Sequence, residues 1–245
     1  MVGTGSFAAE ATLLLVRHGE SVGNLAAARA EADGADELQL ATRDADTPLS
    51  DRGFEQADAL GRPLATSAPE AVWCSPYLRA RQTADRALEA AGLTRPVRVD
   101  ERLRDRELGI LDRLTATGVR NRYPGEDARR AQLGKFYYRP PGGESWVDVA
   151  LRLRSWLADV VPLEPGSTTL VVTHDAVITL VRYVLIPTTE AELLRTAGQG
   201  IRNASISTLA CDAGGWRVVD MDEVQHLAAT GSPITEHPGT DAHGD

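Results

Sequence analysis

Leu13-Leu14-Leu15-Val16-Arg17-His18-Gly19-Glu20-Ser21 is the stretch from which the fold of this chain is read. Four consecutive apolar residues bounded by polar ends describe a short strand buried on both faces. The strand stops at Arg-His-Gly, which sets a guanidinium and an imidazole at its carboxyl end. In open α/β sheets that edge is where ligands bind. Gly19 permits a sharp chain reversal that a side chain would hinder. The rest of the chain is therefore read for partners of His18.

Three more segments have strand character: Ala71–Cys74, Val97–Asp100 and Thr168–Thr173, the last ending in His174. Ser75-Pro76 reads as N-cap and first residue of a helix through Tyr77–Ala84, where Pro costs nothing. Arg79, in its first turn, faces the same sheet edge as His18. Ser50 is a good N-cap with Asp51 at the positive helix end, and this helix runs to about Leu60. Ser145 opens the clearest helix: Trp146, Val149, Ala150, Leu153, Trp156, Leu157 and Val160 recur at helical spacing, a core stripe. Asn203–Leu209 and Trp216–Val219 read as an edge hairpin turned by Gly214-Gly215.

Leu-Val-Arg-His-Gly-Glu-Ser followed by Asn24 resembles the signature of the histidine phosphatase superfamily, the phosphoglycerate-mutase-like group. Three other segments match that family. Thr47–Ala57 is similar to its Thr/Asp-x-x-Leu-Ser/Thr-x-x-Gly-x-x-Gln-Ala, and Ser75–Ala84 to its Ser-Pro-x-x-Arg-Ala-x-x-Thr-Ala. Val171–Asp175 resembles Val-x-Ser/Thr-His-Gly, with Asp175 in place of the Gly. The resemblance runs from about Leu13 to Leu227. It implies an α/β fold, a three-layer sandwich whose mostly parallel central sheet is flanked by helices on both faces. It also implies that His18 is phosphorylated in turnover and that Arg17, Asn24, Arg79 and His174 hold the phosphoryl group. Ser21 and Asn203 join them as candidate substrate-binding residues. Leu103–Gly109 resembles the family's Leu-x-Glu-x-x-x-Gly, which carries the proton donor; Asp105 stands where the Glu belongs, with Glu107 two residues on.

Thr115–Gly143 is polar, arginine-rich and aromatic, with Pro124, Pro140 and Pro141. A long loop inside a compact domain is usually functional, so 115–143 is expected to form a lid. Arg129-Arg130 could contact the substrate body or form a solvated face, and Arg106 is a further candidate ligand. Residues 1–227 are expected to form one catalytic domain, and 228–245 a disordered tail.

The formal charge of −9 over 245 residues argues against nonspecific nucleic-acid binding and against an anionic membrane surface. Cations for a phosphate must then be concentrated locally. The chain has 26 basic residues, and all but Lys135 are Arg. The first 11 residues lack a signal peptide's pattern, and no apolar run approaches the ~20 residues of a membrane span. A cytoplasmic protein is expected, with a homodimer left open.

Two His, two Arg and a carboxylic acid suit in-line phosphoryl transfer without a metal or other cofactor. No P-loop, dinucleotide Gly motif or zinc-ligand spacing is found. The expected function is hydrolysis of a small phosphorylated metabolite, a phosphomonoester, through phosphohistidine. The alternative is a 2,3-bisphosphoglycerate-dependent phosphoglycerate mutase; the substrate-binding Lys that mutases carry shortly after the acid has no match here. A non-catalytic phosphoryl-binding module is the remote alternative.

Overall fold

The computed structural model describes residues 10–161 and 163–236. Its strands are β1 (Ala11–Arg17), β2 (Ala71–Cys74), β3 (Val97–Val99), β4 (Thr168–Thr173), β5 (Ile206–Asp212) and β6 (Gly215–Glu223). They make one sheet in the order β3-β2-β4-β1-β5-β6. Strands β1 to β4 run parallel, and the β5–β6 hairpin is added antiparallel along β1.

Both faces of β1 are covered, which is why its sequence does not alternate. Leu13 and Leu15 point into one core with Trp146, Val149, Leu153 and Trp156 of α7 (Trp146–Val160) and Val177, Ile178 and Val181 of α8 (Asp175–Leu185). Leu14 and Val16 point into a second core with Leu64, Ala80, Ala84 and Leu88. Those four lie on α3 (Gly61–Ser67) and α4 (Leu78–Ala90). Two helical layers therefore sandwich a mostly parallel sheet. Leu15 is fully buried, and truncating such a side chain to Ala typically costs about 2–5 kcal/mol.

Local signals place the ends of several helices. The Ser50 hydroxyl accepts from Gly53 N at 3.0 Å and starts α2 (Asp51–Ala59). Ser145 and Asp148 form a capping box at the head of α7. Ser75 departs from expectation: Tyr77 occupies the N-cap position of α4, and the Ser75 hydroxyl accepts from Tyr77 N at 3.3 Å, just ahead of the helix.

The segment 115–143 is not an extended loop. It folds into α5 (Ala116–Arg122) and α6 (Pro124–Tyr137), broken at Gly134 by a φ of 76°. Phe136 joins the first core, so apolar anchoring overrides the polar composition. Residues 228–236 also differ from the expected disordered tail. They complete α10 (Gln225–Thr230), whose Leu227 is buried in the second core. Gln56 Nε2 then donates to Pro233 O and Thr235 Oγ1, both at 2.8 Å. Residues 237–245 lie outside the described residues.

Candidate active site

Because β1 and β4 are adjacent and parallel, with Arg17 opposite Thr173, their ends deliver His18 and His174 side by side. The ring centroids are 5.2 Å apart, edge to face. The His18 carbonyl accepts from Ala204 N and Asn203 Nδ2, each at 3.2 Å. Asn203 is in turn held by Thr235, whose Oγ1 donates to its Oδ1 at 3.2 Å. Gly19 is required by close approach, since a Cβ there would lie 2.5 Å from Gly53 O.

The His18 ring is polarised in one sense. Nδ1 lies 2.7 Å from Gly19 O, to which it donates, so Nε2 carries the lone pair. Arg79 Nε donates to Nε2 at 3.2 Å. Burial, then the charges of the arginines Arg79 and Arg17, hold His18 well below the usual histidine range. The ring is neutral and nucleophilic near pH 7.

Arg79 is buried and fully engaged. Its end-on pair, Nη1 and Nη2, grips the Asp44 carboxylate at 3.0 and 3.1 Å. Its side edge, Nε and Nη2, faces His18 Nε2 and Asp105 Oδ2, both at 3.2 Å. Asp44 sits in a short 3-10 turn, Asp44–Asp46, and its carbonyl also accepts from Nη1 at 2.8 Å. Arg17, at the end of β1, is buried with Nη1 donating to Ile201 O. Asp175, in place of the family's Gly, accepts from Ile201 N at 3.3 Å and so braces the segment on which Arg17 docks.

His174 is buried and neutral, burial outweighing the opposing pull of Asp105. Its Nε2 lies 2.7 Å from Ser75 Oγ, and its Nδ1 lies 3.3 Å from Asp105 Oδ2 without a hydrogen bond's alignment. Ser75 Oγ–H donating to Nε2 puts the ring proton on Nδ1, aimed into the pocket. Burial would raise the Asp105 carboxyl, but His174, Arg79 and the Arg106 N–H outweigh it and hold it well below the usual carboxylate range. The flanking arginines do not produce this, because both side chains point away. Arg104 pairs with Glu144 at 2.6 Å, and Arg106 donates to the carbonyls of Glu144 and Tyr138. Glu107 lies further out, its side chain 49% exposed, and accepts from Tyr77 Oη at 2.9 Å.

Of the residues expected from sequence, His18, Arg17, Arg79, His174, Asp105, Asn24 and Asn203 converge. Asn24 Oδ1 is taken by Ser21 and Asn203, which turns its Nδ2 outward for a ligand. Four candidates stand elsewhere. Ser21 is the buried N-cap of α1 (Val22–Ala32), its hydroxyl spent on the capping box with Asn24. Arg106 is consumed by backbone carbonyls. Arg129 is exposed on α6, and Arg130 lies beside Tyr138. Sequence reasoning passed over Asp44, Ser75 and Thr83, whose hydroxyl accepts from Gly19 N at 3.0 Å. Ser75, between a strand and Pro76, has the local pattern of a helix cap; Asp44 carries no local signal.

Among the described residues no group of three or more His, Cys, Asp or Glu is placed to hold a metal ion, and no helix is long and apolar enough to cross a membrane. The model of the histidine phosphatase superfamily, branch 1, matches residues 13–224. The chain belongs to that superfamily. Its relatives include phosphoglycerate mutases and a phosphatase. The 2,3-bisphosphoglycerate-dependent phosphoglycerate mutase 2 of Gloeobacter violaceus is 37% identical over 168 residues, 67% of this chain and 70% of the relative. The glucosyl-3-phosphoglycerate phosphatase of Mycobacterium tuberculosis is 41% identical over 120 residues, 49% of this chain and 52% of the relative. A solved mycobacterial glucosyl-3-phosphoglycerate phosphatase superposes with a TM-score of 0.70 at 30% identity, covering 88% of this chain and 100% of that one. A phosphatase of this superfamily fits the chain.

Proposed function

We propose that the protein is a metal-independent phosphatase acting in the cytoplasm on a small phosphomonoester. One observation carries this reading: His18 Nε2 bears a lone pair at the focus of Arg79, His174 and Asp105. Nε2 attacks phosphorus while the ester P–O bond breaks in line. Arg17, Arg79, Asn24 and His174 Nδ1–H hold the charge on the equatorial oxygens. Asp105 gives a proton to the leaving oxygen. It then takes one from the water that attacks phosphohistidine, so that the P–N bond breaks and neutral His18 and phosphate remain.

Asp105 is ionised in the ligand-free site, and the substrate itself reverses this. A phosphoryl dianion takes over Arg79 Nη2 and His174 Nδ1, the groups that now face Asp105 Oδ2. The displaced carboxylate loses its cation, meets a like charge and takes up a solvent proton. Against the mutase reading, Arg106 follows the acid but is tied to the carbonyls of Glu144 and Tyr138.

An alkaline quench during turnover, followed by mass spectrometry, is expected to find phosphate on His18, since acid destroys phosphohistidine. Wild-type turnover by His18→Ala, or occupancy of another residue, refutes the reading. Sustained exchange between 2- and 3-phosphoglycerate with added bisphosphoglycerate would favour the mutase.

A further inference from the structure

Asp44 stands out because the transfer chemistry above does not use it, yet it makes the closest set of contacts to the phosphate-gripping arginine. It takes both terminal nitrogens of Arg79 end-on and a third bond through its carbonyl. That grip leaves the Nε–Nη2 edge, the one facing His18, as the edge a phosphoryl group meets. The carboxylate thus belongs to the wall around Arg79, and at 39% side-chain exposure its charge is open to solvent there.

It is not alone there. Glu107 hangs from Tyr77 Oη at 2.9 Å, and the Tyr77 ring packs 5.1 Å from that of His174. Asp44 and Glu107 make this side of the site acidic, and partial burial and then their charges push the Asp112 carboxyl up. The cations near this rim are shared among several groups. Arg43 is bidentate on Asp46, Arg104 pairs with Glu144 at 2.6 Å and reaches Glu107 only at 3.9 Å, and Arg113 donates to Leu40 O. Inside the rim, His174 Nδ1 is buried, lacks an aligned partner and points at the place where the phosphoryl oxygens go. The pocket is positive at its floor and negative at its mouth.

We propose that Asp44 is a specificity-determining residue: it fixes the Arg79 fork for the phosphoryl group and, with Glu107, excludes phosphomonoesters whose body carries a carboxylate. The substrates this site takes have a neutral, hydroxyl-rich or cationic body. This rests on the phosphatase reading and departs from the relatives whose names specify phosphoglycerates. For a substrate carboxylate about 7 Å from Asp44, at an effective dielectric of about 40, repulsion from that one charge amounts to about sevenfold in kcat/KM.

Glycerol 3-phosphate and 3-phosphoglycerate test this, differing only by a hydroxymethyl group against a carboxylate. The wild-type enzyme is expected to favour glycerol 3-phosphate, and Asp44→Asn to shrink that preference about sevenfold, whatever happens to the common rate. Lost positioning of Arg79 alone would slow both substrates equally. In the unmutated enzyme, raising the salt from about 0.02 to about 0.5 M should narrow the preference, because partly exposed charges are screened; this arm stands even if the variant fails to fold. Wild-type preference for 3-phosphoglycerate, or a ratio indifferent to both salt and Asp44→Asn, overturns the proposal. Failure of the wild type to hydrolyse an activated aryl phosphate refutes the phosphatase reading and this one with it.

Discussion

Replacing Asp105 by Asn should move two observables in opposite directions. The carboxylate sits 3.2 Å from Arg79 Nη2 and 3.3 Å from His174 Nδ1, where a bound phosphoryl oxygen must go. It is therefore both the proton donor and a competitor of the phosphate. As donor, it is worth about 10²–10⁴-fold in kcat for an alkyl phosphate, and much less for an aryl phosphate whose leaving oxygen scarcely needs a proton. As competitor, its charge about 5 Å away repels the monoanion of inorganic phosphate by about 1.7 kcal/mol at an effective dielectric of about 40. That dielectric suits a side chain with 29% exposure. Asp105→Asn should thus bind inorganic phosphate about fifteenfold more tightly while turning over alkyl phosphates far more slowly. Steady-state kinetics with alkyl and aryl substrates, together with Ki for phosphate, read both effects. A loss of kcat independent of the leaving group, or an unchanged Ki, would refute the reasoning. Were Glu107→Gln to show the leaving-group-dependent loss instead, the donor would lie two residues along.

Ser75→Ala leaves His174 Nε2 buried without its 2.7 Å partner; about 1–3 kcal/mol is at stake, so kcat/KM should fall about 10- to 100-fold, with the Nδ1–H proton resonance of His174 lost from the NMR spectrum. Gly19→Ala should lower both the melting temperature and activity, because its Cβ meets Gly53 O at 2.5 Å; a fully stable, fully active variant would contradict the packing argument. His18 and His174 are both held below 6.5 by burial, so the unfolded chain binds protons that the folded one refuses. Their contribution to stability is complete above about pH 6.5 and declines as pH falls below it, and denaturant midpoints across pH 5–8 should show that sign. Turnover should persist in EDTA and be inhibited by vanadate; activity lost to the chelator and restored by a divalent ion would contradict a site run by Arg and His alone.

What sequence alone determined is what depends on neighbours along the chain. The apolar run Leu13–Val16 marks a strand buried on both faces, and Ser50 and Ser145 mark helix starts. His18, Arg79 and His174 fall at strand ends or a first helical turn, so their common edge followed from local pattern and a family resemblance. Segment 115–143 folds despite its polarity because Val119, Phe136 and Tyr138 are buried, and residues 228–236 are held by the buried Leu227 just before them and by the Gln56 bonds to Pro233 and Thr235.

Only the tertiary structure decided how the site is wired. Ser75 reaches His174 across 99 residues and Asp44 reaches Arg79 across 35, because strand order sets β2 beside β4 and a surface turn over α4. The charge of Asp105 is likewise a sum over His174, Arg79 and a backbone N–H, set against burial. Sequence names the groups and their ordinary acidities. Which of them face one another at 3 Å is settled by the fold, since Coulomb and hydrogen-bond energies depend on separation in space.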